Sequence, residues 1–264
     1  MQRRAVGSRR NKQGGRYEKI LARERILDAA LIQFSQFGLA GARTDAIARE
    51  AGVNKALLYY YFENKDKLYQ AAFELVAARI VDSALASVAA GKTAGESLLR
   101  FALNHFDRLA TQREFQSLIQ HEMVRFHRGQ TGGMPMLARS FFKPPLNSLE
   151  SEAREGIRCR ELCPVDWMQI LYSSIGANVF YFLSAPIFEI LLPFKAFAPA
   201  SLQERRKAAI EFLGYALFRD RNHGAAVAKR VLAETPMPKH AATTFFKRAS
   251  YRLFRKELPR RKYS

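Results

Sequence analysis

The side chains best suited to specific chemistry lie between residues 54 and 65, and the chemistry they offer is hydrogen bonding to a polyanion. Lys55, Tyr59 and Tyr60 fall on one side of a short helix, while Leu58 and Tyr61 fall on the other. Ammonium and hydroxyl groups donate hydrogen bonds to phosphate oxygens and to the acceptor edges of bases. Such a set is typical of a helix that enters a DNA groove, and it lacks the paired acid and base of an enzyme.

Two short helices joined by a tight turn must position these side chains. Thr44 is suited to cap the first helix, which runs to Glu50, and Gly52 can end it with a positive φ. Asn54 is then a fresh N-cap for the second helix. This order of cap, glycine and second cap is the helix-turn-helix pattern.

Flanking helices are predicted on both sides of this pair. Apolar spacing predicts a first helix over residues 18–37 that stops at Gly38. Asn64 is a third N-cap, and the helix after it runs to near Ala89. Its length would carry the chain from a DNA-binding head into a second domain.

Residues 23–73 resemble the N-terminal domain of the TetR family of bacterial transcriptional regulators. The first helix reads RERILDAALIQFSQFG, the next segment is TDAIAREAGV, and NKALLYYYFENK completes the match. Two positions depart from the family pattern, because Asn54 replaces a common Ser and Leu57 replaces a common Thr or Ser. The second departure removes one hydroxyl contact to DNA.

The resemblance and the residue types together assign roles on this surface. The resemblance implies that Tyr59 and Lys65 contact phosphates, and Thr44 at a helix N-terminus favours a phosphate oxygen. Lys55 could donate to guanine O6 and N7, and Ala56 or Leu57 could touch a thymine methyl. The predicted DNA-binding residues are Arg43, Thr44, Asn54, Lys55, Ala56, Leu57, Tyr59, Tyr60 and Lys65.

The predicted fold is all-α, with a three-helix helix-turn-helix domain followed by a helical ligand-binding and dimerisation domain. Thr93 and Ser201, each with a glutamate three residues on, open helices as capping boxes. Further helices fit residues 113–126, 136–155, with a kink or break at Pro144-Pro145, and 166–184. The predicted domains are a flexible basic arm (1–16), the DNA-binding domain (17–63), the helical domain (64–219) and a basic C-terminal extension (220–264).

The resemblance implies a homodimer on a palindromic double-stranded DNA operator, responsive to an apolar or amphipathic small-molecule effector and most often acting as a repressor. Aromatic and polar groups on the predicted inner helix faces are the candidate effector contacts. They are Phe101, His105, Met123, Tyr172, Asn178 and Phe182.

The apolar helix after residue 166 approaches the ~20 residues of a membrane span, but burial against the core and a twin subunit is the favoured interpretation.

The distribution of charge allows a second function for this chain. The formal net charge is +19, and the ends carry most of it, with 13 basic against 6 acidic residues in 1–65 and 12 against 3 in 220–264. A competing interpretation is therefore a nucleic-acid- or membrane-surface protein whose tails bind polyanions around a dimerisation scaffold.

A secretory signal is not expected, so the predicted location is the cytoplasm. No enzyme, metal or cofactor motif is complete, since Arg125 replaces the second histidine of H-E-x-x-H after His121.

Overall fold

The computed structural model describes residues 5–130 and 134–238, with the backbone alone for residues 5–17, 19, 113–115 and 136–137. Within these ranges the regular structure is helical, which confirms the all-α prediction, and one isolated β-bridge joins Leu162 to Phe218. A π-helical segment, Ala138–Phe142, joins the helices Met134–Leu137 and Lys143–Arg158. The helices are α1 Ala5–Gly41, α2 Thr44–Glu50, α3 Lys55–Phe62, α4 Lys65–Ala89, α5 Ala94–Thr111, α6 Arg113–His127, α7 Met134–Leu137, α8 Lys143–Arg158, α9 Trp167–Leu191, α10 Pro199–Leu217 and α11 Arg221–Glu234.

The N-terminal unit extends to Ala72 and packs α1, α2, α3 and the start of α4 around a small apolar core. Phe34 of α1, Ile47 of α2 and Leu58 of α3 have no exposed surface. The ring of Phe34 meets that of Tyr69 edge to face, with centroids 4.9 Å apart. One buried residue from each helix therefore fixes the orientation in which α3 presents its outer side.

Helix α1 is interrupted at Gly38, where the sequence predicts its end. Gly38 has a non-helical backbone with a φ of 64°, and the segment after this kink runs to Gly41. At the other end the backbone is helical from Ala5, where the sequence predicts a flexible arm over residues 1–16. In that stretch Gly7, Gly14 and Gly15 disfavour a helix intrinsically. Residues 1–4 of the arm lie outside the described residues.

The C-terminal unit, Phe73–His240, is built around α5. This helix contacts α8, α9, α10 and α11. Leu99 and Leu103 of α5, Ile210 of α10 and Val227 of α11 belong to one cluster of buried apolar residues. Helix α5 is buried along nearly all of its length, and the buried residues include the polar Glu96 and Ser97. Polar side chains in such a position need partners within the fold.

Buried ion pairs connect α5 to the last two helices. Glu96, fully buried, accepts hydrogen bonds from Arg100 at 2.8 Å and from Arg230 of α11 at 2.5 Å. Burial opposes ionisation of Glu96, but the two arginines outweigh it and hold the pKa of this carboxyl below its usual value. Asp107 binds Arg206 of α10 through two hydrogen bonds, at 2.6 and 2.8 Å.

Two predicted capping boxes have different outcomes. Thr93 caps α5 by accepting from the Glu96 amide at 3.2 Å, although the Glu96 side chain turns to the arginines instead of closing the box. The predicted start at Ser201 was wrong, because α10 begins at Pro199. A proline at the first helical position has its φ already set for a helix and loses no hydrogen bond there.

The predicted start of the C-terminal extension at residue 220 was also wrong. Asp220 caps α11 by accepting from the amides of Asn222 and His223, at 2.9 and 3.1 Å. Val227 and Val231 of α11 are fully buried against α10 and α5. The high charge of this region conceals an apolar spacing of four that is typical of a packed helix. The rest of the extension, including the amphipathic pattern over residues 243–258, lies outside the described residues.

Helix α9 runs from Trp167 to Leu191, beyond the predicted end at Ser184, and Pro186 lies inside it. Among the described residues it is the one helix long and apolar enough to cross a membrane by length and composition. Only 28% of its apolar window is buried within a single chain. Most of this apolar window is therefore exposed in the single chain.

Candidate nucleic-acid interface

The turn between α2 and α3 has the predicted local structure. Gly52 adopts a φ of 65°, which an L side chain rarely adopts. The Asn54 side chain then accepts a hydrogen bond from the Leu57 amide at 2.7 Å and so caps α3. The amide of Val53 returns to the Ala48 carbonyl at 3.0 Å and closes the end of α2.

Helix α3 presents the side that the sequence predicts. Lys55, Ala56, Tyr59 and Tyr60 are exposed, and Tyr60 retains 70% of its surface. On the other side Leu58 and Phe62 are buried, while Leu57 and Tyr61 are half-buried. The exposed set offers one cation and two hydroxyl groups on a short, rigid helix, as contact with phosphates and base edges requires.

Thr44 and Tyr59 are joined across the two helices. The Thr44 Oγ1 and Tyr59 hydroxyl oxygens lie 3.2 Å apart. The predicted capping role of Thr44 was wrong, because Arg43 occupies the N-cap position of α2 and no side chain caps this helix. Its hydroxyl is held by Tyr59 instead, so the two predicted phosphate contacts lie side by side.

Lys55 forms an ion pair with a residue that the sequence did not indicate. Its Nζ lies 2.8 Å from Oδ1 of Asp45, in the first turn of α2. The hydrogen bond and the charge of each partner lower the pKa of Asp45 and raise that of Lys55. The residues are ten positions apart in sequence, so only the crossing of α2 and α3 brings them together.

Lys65 and Arg43 occupy the edges of the same surface. Lys65 Nζ donates to the Ala40 carbonyl at 3.0 Å, near the end of α1, where a cation is favourable. Arg43 is exposed just before α2. Arg25 of α1 contacts the turn between α2 and α3, because its Nε donates to the Ala51 carbonyl at 3.1 Å.

The structure divides the predicted effector contacts into two groups. Phe101, Asn178 and Phe182 are buried in the C-terminal unit, and the Asn178 Nδ2 lies 3.4 Å from Nδ1 of His105. Burial, aided by the charge of Arg108, lowers the pKa of His105 to about 3. The remaining two, Met123 and Tyr172, are more than half exposed, so the single chain does not bring them to the interior.

Three further polar side chains border this buried group, and the sequence did not mark them. Asn104 Nδ2 donates to the Ser83 hydroxyl at 2.7 Å, and Arg108 Nη1 donates to the Ile80 carbonyl at 2.7 Å. Both link α5 to α4. Their signal in the sequence is weak, because polar residues at these positions read equally well as a solvated helix face.

An exposed apolar surface covers one side of α9 and α10. On α9 its members recur every three or four residues from Phe180 to Ile190, and on α10 two aromatic rings continue it. They are Tyr172, Phe180, Leu183, Ile187, Ile190 and Leu191 on α9, with Phe212 and Tyr215 on α10. We call these residues the α9–α10 face.

Two other kinds of site, a metal centre and a disulfide, are not found in the described part of the chain. No group of three or more His, Cys, Asp or Glu side chains there could hold a metal ion. Cys159 and Cys163 are free thiols.

These features define a two-unit helical protein with a helix-turn-helix head, and comparisons with known proteins show what that head resembles. The sequence profile of bacterial regulatory proteins, tetR family, matches residues 26–72. Over 50 residues the chain is 48% identical to the HTH-type transcriptional repressor SCO4008 of Streptomyces coelicolor. These residues make up 19% of this chain and 26% of that protein. It is 49% identical over 57 residues to the regulator RutR of Escherichia coli, covering 21% and 27%. The matches thus span about a quarter of the length of these curated relatives. The likeness to the tetR family is thus carried by residues 26–72, the N-terminal domain.

Solved structures extend the likeness of fold over most of the chain. A gamma-butyrolactone receptor (ArpA-like protein) matches with a TM-score of 0.59 at 18% identity, covering 82% of this chain and all of that one. A regulator from Saccharomonospora viridis in complex with choline matches with a TM-score of 0.60 at 17% identity, covering 75% and 98%. These similarities confirm the fold of both units.

Proposed function

We propose that this protein is a sequence-specific DNA-binding transcriptional regulator, acting as a homodimeric, ligand-responsive repressor on a palindromic operator. The observation that carries the proposal is the exposed side of α3, bordered by the linked hydroxyl groups of Thr44 and Tyr59. Phosphate-binding groups at its edge position the helix, and the groups between them read bases. The relatives of the head domain are themselves transcriptional regulators.

Dimerisation through the α9–α10 face follows from its exposure. Contiguous apolar patches of this kind are uncommon on monomeric soluble proteins. A membrane-spanning α9 is disfavoured, because its opposite side carries the buried polar residues Ser174 and Asn178 and packs on α5. Two heads on one dimer would contact half-sites about one helical turn apart, ~34–36 Å.

The effector site that we propose is the buried group around His105 and Asn178. Phe101 and Phe182 supply apolar surface, while the neutral imidazole and the amide supply a small number of directed hydrogen bonds, as ligand sites require. An apolar or amphipathic molecule fits this composition. Such a ligand would act by binding the non-DNA-binding conformation more tightly than the DNA-binding one. The proposed location is the cytoplasm, and the proposal includes no catalytic step.

Selection from a random duplex-DNA library at near-physiological salt tests the proposal. The wild-type protein should enrich a palindrome. Tyr59→Ala, which removes the phosphate contact and the link to Thr44, should bind DNA too weakly to enrich it while keeping the helical content. A truncated variant that ends at residue 238 removes the basic tail and spares α11. Binding without an enriched sequence that disappears with the tail would overturn specific recognition and support the tail-binding alternative.

A further inference from the structure

The ion pair between Asp45 and Lys55 lies on the surface proposed to face DNA. Both side chains are largely exposed, at 63% for Asp45 and 50% for Lys55, and their atoms are 2.8 Å apart. Asp45 follows Thr44, and Lys55 follows the cap Asn54. A carboxylate at this place is unexpected on a surface that must approach phosphates, since it repels them.

The local electrostatics explain why Lys55 is held. Lys55 is the first residue of α3, where the partial positive charge of the helix N-terminus disfavours a cation. The negative charge of Asp45 compensates the unfavourable position of the Lys55 cation. Asp45 is itself favourably placed, because it lies in the first turn of α2. Exposed ion pairs are weak and exchange readily. Lys55 can therefore leave Asp45 when a better acceptor is presented.

We propose that Asp45 is a specificity-determining residue, which restrains Lys55 so that the lysine contacts base acceptors and not the DNA backbone. The inference rests on the proposed function, because it requires α3 to bind DNA. It assigns a role to a residue that makes no contact with DNA of its own.

The acceptors that compete for Lys55 differ in charge. If Lys55 turned to a phosphate, the phosphate would come close to the Asp45 carboxylate, and the like charges would repel each other. Guanine O6 and N7 are neutral acceptors, so a contact with them carries much less of this repulsion. The carboxylate thus weakens backbone contacts more than base contacts. Non-specific binding is suppressed, and the ratio of specific to non-specific affinity rises.

Asp45→Asn tests the inference, because it removes the charge and keeps the shape. Affinity of the full-length protein would be measured by fluorescence anisotropy over a series of salt concentrations, for the selected operator and for a scrambled duplex of equal length. We expect the scrambled duplex to bind up to about fivefold more tightly, the factor that an exposed ion pair can supply. The salt dependence should steepen by about one unit, as for one added phosphate contact.

Two further variants separate this effect from a change in total charge. Glu50→Gln makes the same change of charge at the exposed C-terminal end of α2, and it should leave the discrimination ratio unaltered. In a Lys55→Ala background, Asp45→Asn should no longer steepen the salt dependence. An equal effect of Glu50→Gln, or an unchanged ratio for Asp45→Asn, would overturn the inference. If the wild-type protein itself fails to discriminate, the proposed function fails instead.

Discussion

The hydroxyl groups of Thr44 on α2 and Tyr59 on α3 share a hydrogen bond of 3.2 Å at the exposed edge of the helix-turn-helix. Each hydroxyl can donate and accept, so one phosphate oxygen could accept from either group without breaking the link between them. The pair holds both side chains in position before DNA arrives. Less rotamer entropy is then lost on binding.

Removing the Tyr59 hydroxyl should therefore weaken DNA binding without altering base preference. A hydrogen bond to a charged group contributes about 1.5–3 kcal/mol, so Tyr59→Phe should lower affinity by roughly tenfold or more, for operator and scrambled duplex alike. Anisotropy titration of the two duplexes measures this. Tyr60→Phe is the comparison, because a base contact by Tyr60 would change the ratio between the duplexes. Unchanged affinity for Tyr59→Phe would refute a phosphate contact.

Local features of the head were predictable from sequence, and contacts between helices were not. The cap at Asn54 and the positive φ of Gly52 depend on residues within four positions of each other. The links of Asp45 to Lys55 and of Thr44 to Tyr59 depend on the angle at which α2 crosses α3. Residue spacing within one helix contains no information about that angle.

In the C-terminal unit, composition led to two wrong predictions, one about a helix and one about burial. The basic character of residues 220–264 as a whole outweighed the spacing of Val227 and Val231, so the sequence predicted an extension where the structure has α11. Met123 and Tyr172 read as interior positions, because core, pocket and subunit interface use the same residue types. Only the packing of α6 and α9 separates these alternatives.

A charge on the α9–α10 face should break the proposed dimer. Phe212 of α10 is 67% exposed in the single chain. Phe212→Glu would place a carboxylate in the interface, where an unpaired charge is strongly unfavourable. We expect a monomer in analytical ultracentrifugation and loss of cooperative binding to a palindrome. Met123→Glu is the matched control, since it puts the same charge on an exposed apolar position of α6 and should leave the dimer intact. A dimeric Phe212→Glu protein would exclude this face as the interface.

The buried pair of Asp107 and Arg206 should matter more for stability than its exposed counterparts. Asp107→Asn leaves the Arg206 guanidinium, 4% exposed, without a counter-charge, and we expect a loss of about 3–5 kcal/mol in the free energy of unfolding. Trp167, the single tryptophan of the chain, packs against the core of this unit and reports its unfolding by fluorescence. Glu155→Gln breaks the exposed pair with Arg158 and should change nothing measurable. Equal losses in both variants would contradict the argument from burial.

His105 should make the C-terminal unit sensitive to mild acid. Burial and the nearby charge of Arg108 lower the pKa of His105 to about 3 in the folded protein, against 6.5 when unfolded. Below pH 6.5 the unfolded chain takes up a proton that the folded chain does not, so stability falls as the pH decreases. The expected slope from this group is about 1.4 kcal/mol per pH unit, down to the folded pKa.

Replacing His105 with a residue that does not titrate should remove that slope. Urea unfolding followed through Trp167, repeated between about pH 7 and pH 5, should show a decline for the wild-type protein and a flatter profile for His105→Gln. The range stops above the region in which carboxyl groups such as Glu96 begin to protonate, because their loss also destabilises the fold. His127→Gln, at an exposed position on α6, controls for the loss of a histidine and should keep the wild-type profile. Parallel profiles for wild-type and His105→Gln would show that His105 is not held neutral by burial, and would remove the neutral imidazole from the proposed effector site.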